Sequence, residues 1–211
     1  MNDKNKISRI RQYQIHEIQT QALLLLDEVP FQKITMSLLA SKLSFTRANL
    51  YKYFESIEAV FMGASIEILH DFYKKVVQIE VIDVDHFIKK FSTIVSEETT
   101  LWKISGIMDN ILEMNVNFDS LVSYERQFNL FYDQLFIEFK KHFLDLSDMD
   151  VLKIYHFFYL ITPTMYTSLN LSERKKQAMK ILNREPFEMP MYYMYENFFQ
   201  TFVKGIYQSK K

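Results

Sequence analysis

The sequence lacks cysteine and contains few residues that favour tight turns. Its 211 residues include no cysteine, three glycines and four prolines. Without cysteine the chain can form no disulfide, no thiolate nucleophile and no cysteine-ligated zinc site, and this composition suits a reducing cytoplasm. Because glycine adopts positive φ more readily than any other residue, its scarcity argues against many tight hairpins and favours long helices.

Long hydrophobic segments are also missing. The opening stretch, MNDKNKISRIRQYQ, has no apolar run after its charges and so differs from a signal peptide. No apolar stretch reaches the roughly 18 residues that a membrane span needs. The densest one, residues 157–161, has the length of a buried helix segment. We therefore expect a cytoplasmic protein that makes no membrane contact.

Catalytic and metal-binding motifs are absent from the sequence as well. The five histidines are scattered and follow no HExxH or other metal-ligand spacing. Three separated glycines cannot form a glycine-rich phosphate loop. The acidic residues Asp71, Glu97, Glu98 and Glu113 form no evident acid–base pair. The sequence therefore predicts no metal, no cofactor and no enzymatic activity.

The charge of the chain is unevenly distributed. Hydrophobic residues make up 48% of the sequence and charged residues 24%, as in an ordinary folded protein. Residues 1–54 contain eight Lys or Arg against four Asp or Glu, so this segment carries +4 although the whole chain carries −1. A basic segment followed by an acidic remainder indicates that the first quarter is the part that meets a polyanion.

Apolar residues recur every three or four positions along most of the chain, and no convincing alternating strand appears, so we expect an all-α fold. The first helix should run from Ile7 to Val29 and end at Pro30. Residues with short polar side chains mark the expected starts of the later helices. These N-cap candidates are Thr35, Thr46, Ser56, Asp83, Thr99 or Thr100, Ser147 and Ser172.

Three further expectations concern individual helices. The helix that begins near Thr99 should reach about Asp109, and the next should run from Asn117 or Phe118 to Phe143. Pro163 should bend or end the helix that Ser147 opens, because proline lacks a backbone donor and clashes with the preceding turn. The last helix should direct five apolar residues inward, namely Tyr195, Phe198, Phe199, Phe202 and Ile206.

The stretch SKLSFTRANLYKYF, which starts at Ser41, has the pattern of a helix-turn-helix motif. Its two short helices are separated by a break of about two residues, at Ser44 and Phe45. In such a motif the N-terminal residues of the second helix lie nearest the bases of the major groove. An alternative interpretation is a capped surface turn whose polar residues are simply solvated, and the spacing alone does not distinguish the two.

The polar residues of the second helix match the chemistry that DNA recognition requires. Arg47 can reach phosphate or guanine, and Asn49 can pair with adenine or with phosphate. Tyr51 offers a hydroxyl group and Lys52 a point charge for the backbone. Thr35, at the start of the preceding helix, can add a hydroxyl and free backbone N–H groups toward a phosphate.

A longer pattern spans residues 22–61. It consists of Ala22, Leu23, Leu26, Phe31, Ile34, Thr35, Met36, Leu39, Ala40, Thr46, Arg47, Leu50, Tyr51, Tyr53, Phe54, Ser56 and Glu58. In their order and spacing these residues resemble the DNA-binding domain of the TetR family of bacterial transcriptional regulators. The sequence departs from the family where Pro30 replaces a common glycine, where Leu43 and Ser44 replace Ala-Gly, and where Ile57 replaces lysine.

The resemblance implies a division into a helix-turn-helix domain, residues 1–55, and a larger helical effector-binding and dimerisation domain, residues 56–211. It implies a homodimer that packs through the last two long helices, Val151–Leu169 and Met191–Ile206. The DNA contacts carried over by resemblance are Thr35, Thr46, Arg47, Asn49, Tyr51 and Lys52. Candidate lining residues for a pocket, each of which also suits plain core, are Trp102, Met108, Phe128, Tyr132 and Tyr155.

From these features we expect a ligand-responsive transcriptional regulator. The expected form is a homodimeric repressor that a small apolar or aromatic effector releases from a palindromic double-stranded DNA operator. A second hypothesis is a helical sensor or protein-interaction subunit that keeps the fold but has lost DNA binding, motivated by Pro30, Ser44 and Ile57. The sequence names neither the operator nor the effector.

Overall fold

The computed structural model describes residues 3–209, with side chains from Ser8 onward. Across this range the chain is helical and contains no β-strand, which confirms the all-α fold. The side chains of Lys4 and Lys6, which were counted in the basic segment, lie outside the described residues. Residues 1, 2, 210 and 211, which belong to the two predicted domains, lie outside them entirely. The α-helices are α1 (Asp3–Glu28), α2 (Met36–Lys42), α3 (Arg47–Leu50), α4 (Ile57–Val76), α5 (Val84–Glu97), α6 (Thr99–Ser105), α7 (Phe118–His142), α8 (Asp148–Leu169), α9 (Glu173–Ile181) and α10 (Met191–Gln208).

Most predicted helix starts are confirmed by side-chain caps. The Asp83 carboxylate accepts the His86 backbone N–H at 2.7 Å, ahead of α5. The hydroxyls of Ser56, Ser147 and Ser172 each accept the backbone N–H three residues onward, at 3.1, 3.2 and 3.3 Å. Each cap satisfies one of the backbone donors that the first turn of a helix leaves unpaired.

The segment after α6 differs from the prediction. The expected helix from Thr99 to about Asp109 ends at Ser105, and Gly106 follows it as the C-cap. A π-helical turn, Met108–Leu112, and a 3-10 turn, Glu113–Asn115, then lead to α7. Glycine has low helix propensity, and the wider π turn buries Met108 and Leu112.

Pro163 does not end α8, which continues to Leu169. The hydroxyl of Thr162 donates to the Phe158 carbonyl at 2.8 Å, and the Thr162 carbonyl accepts the Tyr195 hydroxyl of α10 at 3.0 Å. Helix α8 therefore contacts α10 at the residue before the proline and continues past it, although proline disfavours a helix interior.

The chain divides into two compact units. The first contains Met1–Ile68 and Ile107–Phe128, and the second contains Leu69–Gly106 and Asn129–Lys211. Helices α4 and α7 each contribute residues to both. The functional boundary expected at residue 55 stays a prediction, because a compact unit and a functional domain need not coincide.

The core of the first unit joins α1, α2, α3 and α4. Leu25, Leu39 and Leu50 are fully buried in it, one from each of the first three helices. Phe31, in a 3-10 turn after α1, packs edge-on against Phe61 of α4 with ring centroids 5.3 Å apart. Burial of these apolar side chains holds the short helices α2 and α3 in place.

The core of the second unit is strongly aromatic. Phe91 of α5 lies 4.5 Å from Phe158 of α8, 4.9 Å from Phe139 of α7 and 5.7 Å from Phe199 of α10, measured between ring centroids. All three contacts have the edge-to-face geometry that aromatic rings prefer. The prediction that Phe198 of α10 lies in the core is wrong, because this residue is 44% exposed.

Candidate nucleic-acid interface

The turn between α2 and α3 is closed by Ser44 in the left-handed region, with φ 56°. The backbone N–H of Phe45 donates to the Ala40 carbonyl at 3.0 Å, and this bond from the second residue past the C-cap defines a Schellman motif. The family's frequent glycine at this position is explained by the same geometry, since glycine adopts positive φ without steric cost. Serine makes the same turn here.

Thr35 and Thr46 are both helix N-caps, as predicted. The Thr35 hydroxyl oxygen accepts the Leu38 backbone N–H at 3.1 Å, and the Thr46 oxygen accepts the Asn49 backbone N–H at 3.1 Å. A threonine oxygen that accepts one bond still carries a proton that it can donate. Both residues are exposed, so each hydroxyl can serve the helix and an external acceptor together.

A single buried residue anchors α3. Leu50 is fully buried, whereas Tyr53 and Phe54 are half-buried. Helix α3 spans four residues and is therefore shorter than the helix through Phe54 that the apolar spacing predicted. After it, the backbone N–H groups of Tyr53 and Phe54 donate to the Leu50 carbonyl at 2.9 and 3.1 Å, so turns continue the helical path. The anchor fixes which edge of the segment faces outward.

The six predicted DNA-contacting residues lie on α3, on the turn after it and at the two N-caps. Among them the side chain of Arg47 is pre-positioned. Its guanidinium lies 5.5 Å from the centroid of the Tyr51 ring and donates to the Tyr51 hydroxyl at 3.2 Å. Such stacking restricts the arginine while leaving the edge of its planar fork available. The exposed members are Thr35, Thr46, Arg47, Tyr51 and Lys52, and Asn49 is half-exposed.

Helix α1 supports the end of this segment through Arg11. The Arg11 guanidinium donates to the Lys52 carbonyl at 3.4 Å and lies 5.5 Å from the Tyr53 ring centroid. The Tyr53 hydroxyl in turn donates to the Gln14 side-chain oxygen. In the sequence Arg11 contributes only to the basic charge of residues 1–54, because no short-range pattern links residues that are 41 positions apart.

A second long-range contact ties the helix-turn-helix to α7. The Glu55 carboxylate accepts the Asn117 backbone N–H at 3.0 Å and also accepts from the Asn117 side-chain amide. The Asn117 side-chain oxygen caps α7 by accepting the Ser120 backbone N–H at 2.9 Å. Glu55 directly follows residues 46–54, which contain α3, so one carboxylate connects the end of the helix-turn-helix to the start of α7.

The part of the chain that the structure describes contains neither a candidate metal site nor a candidate membrane span. Within residues 3–209 no three His, Asp or Glu side chains are grouped so that they could hold a metal ion. No helix in the same range is long and apolar enough to cross a bilayer.

The fold and the motif define a class: an all-α protein with a helix-turn-helix at one end of its sequence. Residues 66–210 match the family model described as Tetracyclin repressor-like, C-terminal domain. This match covers most of the chain and lies entirely outside residues 22–61, which carry the sequence resemblance. The chain belongs to the TetR family of transcriptional regulators.

Solved structures of similar fold are consistent with this assignment. The fatty acid degradation regulator FadR from Bacillus halodurans is 15% identical, with 90% of this chain and 94% of that chain covered and a TM-score of 0.58. A possible TetR family regulator from Streptomyces coelicolor A3(2) is 11% identical, with 92% and 99% covered and a TM-score of 0.63. The ketosteroid regulator KstR2 of Mycobacterium tuberculosis is 11% identical, with 91% and 94% covered and a TM-score of 0.51. A comparison with curated protein sequences gave no match.

The residues offered above as pocket lining take part in core packing. Trp102 donates its indole N–H to the Val95 carbonyl at 2.7 Å, and its ring centroid lies 6.0 Å from that of Phe72. Tyr155 is buried and donates to the Tyr132 carbonyl at 3.1 Å. Met108 is buried and Phe128 is half-buried. Their role in an effector pocket stays a prediction.

Proposed function

We propose that the protein is a homodimeric, ligand-responsive repressor that binds a palindromic operator through Thr35, Thr46, Arg47, Asn49, Tyr51 and Lys52. Its place is the bacterial cytoplasm, where the operator lies. Thr35 and Lys52 bind phosphates, Thr46 caps α3 and reaches the backbone, and Arg47 and Asn49 read base edges. Tyr51 holds Arg47 and contributes a phosphate contact.

The exposed polar edge of the Leu50-anchored segment carries this proposal. Its donors face away from the core of the first unit, and the Arg47–Tyr51 stack orders the longest of them. Ordering a side chain before binding reduces the entropy lost on association. Two copies in a homodimer would read half-sites separated by about one or more helical turns, on the order of 34–36 Å each.

The DNA-binding proposal can be tested by fluorescence anisotropy on fragments from the promoter region beside the gene. We expect Arg47→Ala and Lys52→Ala each to weaken binding about tenfold or more. Arg174→Ala and Lys176→Ala, which remove the same charges from the exposed α9, are the matched controls and should leave affinity unchanged. Equal DNA affinities for all four variants would favour the second hypothesis, a sensor subunit without DNA binding. Unchanged regulation in cells that carry Arg47→Ala and Lys52→Ala would favour it as well.

For the dimer we propose the exposed faces of α8 and α10. Within the second unit these helices already pack on each other, with the Phe157 and Phe202 rings stacked at 3.9 Å. Large apolar side chains nevertheless remain outward on both, including Leu160 at 68% exposure and Phe198. Exposed aromatic and aliphatic residues of this kind are typical of interfaces that another chain covers.

The dimer proposal is tested by measuring mass in solution with light scattering. Leu160→Glu and Phe198→Glu should convert a dimer into a monomer, because each would bury an unpaired charge. Leu130→Glu, at an exposed position on α7, is the control and should stay dimeric. Monomeric wild-type protein at micromolar concentration would contradict the proposal.

The effector in this proposal is a small apolar or aromatic molecule, and two structural relatives named for fatty acid degradation and ketosteroid regulation support that chemistry. Its signal would pass from α7 to the recognition segment through Glu55 and Asn117. A Glu55→Gln substitution keeps the size but weakens acceptance from the two N–H groups. We expect it to retain DNA binding and to lose most of the response to effector.

A further inference from the structure

Two arginine–tyrosine stacks lie along residues 46–54, and the second takes its arginine from α1. In the first, the Arg47 guanidinium lies 5.5 Å from the centroid of the Tyr51 ring. In the second, the Arg11 guanidinium lies 5.5 Å from the centroid of the Tyr53 ring. The Arg11 side chain therefore reaches the stretch of chain that carries the proposed DNA contacts, although it comes from another helix.

The Arg11 guanidinium is held on two sides. One terminal nitrogen donates to the Lys52 carbonyl at 3.4 Å, and the face of the group covers the Tyr53 ring. The Tyr53 hydroxyl donates to the Gln14 side chain on α1, so the ring is tied to the same helix that supplies the arginine. A side chain that is ordered in this way loses less entropy when it binds a partner.

The positive charge of Arg11 is not neutralised within the described part of the protein. Among the side chains that the structure describes, no carboxylate pairs with the Arg11 guanidinium. Lys42, an exposed cation in the same unit, is by contrast paired with Glu28 at 3.0 Å. The two groups that hold Arg11, a carbonyl and a tyrosine ring, are uncharged, so its charge stays available to an external anion.

The remaining donors of Arg11 suit a phosphate. A guanidinium has five N–H groups in one plane, and the Lys52 carbonyl accepts from only one of its nitrogens. The Tyr53 ring covers a face of that plane and leaves its edge open, and Arg11 is exposed. Two parallel N–H groups can bind two oxygens of one phosphate at once, which a lysine ammonium cannot do.

We propose that Arg11 is a seventh DNA-contacting residue, which binds a backbone phosphate next to the phosphate that Lys52 binds. Because the Arg11 guanidinium touches the Lys52 main chain, the two cations enter the interface side by side from different helices. Helix α1 then forms part of the DNA-binding surface, outside the residues that carry the family resemblance. This inference rests on the proposed DNA binding and adds a contact to it.

A purely structural role for Arg11 makes a different prediction. In that role the guanidinium only satisfies the Lys52 carbonyl at the end of the turn after α3, and another side chain with an N–H donor can replace it. Its loss would then change DNA affinity without changing the number of phosphates bound. The two roles differ in salt dependence, since each phosphate contact adds to the slope of log K against log salt.

Fluorescence anisotropy on the promoter fragment beside the gene, measured between about 50 and 200 mM salt, separates the two roles. Arg11→Gln keeps an N–H donor but removes the charge, so it should weaken binding about tenfold and lower the slope by about two, one contact for each protomer. Arg11→Lys keeps the charge and should retain the slope. Arg9→Gln is the matched control at an exposed position of α1, because residues two apart lie on different faces of a helix, and it should match wild type.

Three results of this titration would overturn the Arg11 contact. An unchanged slope in Arg11→Gln, with wild type still binding in a salt-dependent way, would remove this contact and leave the DNA-binding proposal intact. An equal loss of slope in Arg9→Gln would show a general effect of charge on α1. Wild-type protein without salt-dependent binding would contradict both proposals together.

Phosphate ethylation interference on the same fragment gives a second readout. In each half-site wild type should show a sensitive phosphate that becomes insensitive in Arg11→Gln, because an ethylated phosphate has lost the charge that Arg11 binds. This phosphate should neighbour the one whose sensitivity is lost in Lys52→Ala. Identical patterns for wild type and Arg11→Gln would refute the contact.

Discussion

The two compact units use their side chains in opposite ways. In the first, a few leucines and phenylalanines hold short helices so that hydroxyl, guanidinium and ammonium groups face outward. In the second, phenylalanine rings from four helices meet in one core, and the tyrosine hydroxyls of Tyr155 and Tyr195 each donate to a backbone carbonyl. Substitutions should therefore have different effects in the two units. Those in the core of the second unit should lower the free energy of unfolding, and those on the exposed edge of the first should weaken DNA binding.

The largest effect is expected in the aromatic core. Phe91→Ala removes a fully buried ring that contacts five others, and such cavities cost about 3–5 kcal/mol. Urea unfolding followed by circular dichroism measures the loss. Arg47→Ala, the matched change on the exposed edge, should shift the unfolding free energy by less than about 0.5 kcal/mol. Similar losses for both variants would remove the contrast between the units.

A cap in the first unit should matter less than a core ring. Thr46→Ala removes the oxygen that accepts the Asn49 N–H, which costs about 1 kcal/mol at an N-cap. Thr46→Ser keeps the oxygen and is the control. If both variants unfold at the wild-type urea concentration, the Thr46 cap does not stabilise α3.

The turn offers a change of opposite sign. Ser44→Gly should raise the free energy of unfolding by up to about 1 kcal/mol, because glycine adopts the observed positive φ without the clash that Cβ introduces. Ser44→Ala keeps Cβ and should not gain. A loss of stability in the glycine variant would show that the serine side chain contributes something to the turn beyond its backbone.

The smallest expected effect is a pH dependence from His142. Burial places its folded pKa below the unfolded value of about 6.5, so the unfolded chain binds the proton first as pH falls. The contribution is therefore full above about pH 6.5 and is lost as pH falls through the folded pKa. Urea unfolding of wild type and His142→Phe between pH 5 and pH 7.5 should give a steeper slope for wild type; parallel slopes would argue against a buried neutral imidazole.

Local signals in the sequence predicted what local structure determines. The caps at Thr35, Thr46, Asp83, Ser147 and Ser172 were predicted because a cap depends on a few neighbouring residues. The family was recognised from the order and spacing of residues 22–61. The DNA-contacting roles of the exposed residues remain predictions, since exposure permits a contact without establishing it.

Features set by distant residues escaped prediction. Helix α8 continues past Pro163, and Tyr195, far along the chain, donates to the Thr162 carbonyl beside that proline. Glu55 and Asn117 are 62 positions apart, and no pattern in a single sequence pairs them. Phe198 follows the same aromatic spacing as its neighbours, yet it is exposed. The spacing of apolar residues along a helix predicts which of them share a face, but it does not specify whether another part of the same chain buries that face.

The salt dependence of operator binding tests the exposed edge most directly. A homodimer that presents the edge of residues 46–52 twice should lose affinity steeply with salt, by about 10³-fold or more between 50 and 200 mM if some six or more phosphates are bound. Lys52→Ala should reduce the slope of log K against log salt by about two, one contact for each protomer, while Lys176→Ala should leave it unchanged. Binding that ignores salt, or an identical slope in wild type and Lys52→Ala, would contradict the assignment of this edge to DNA.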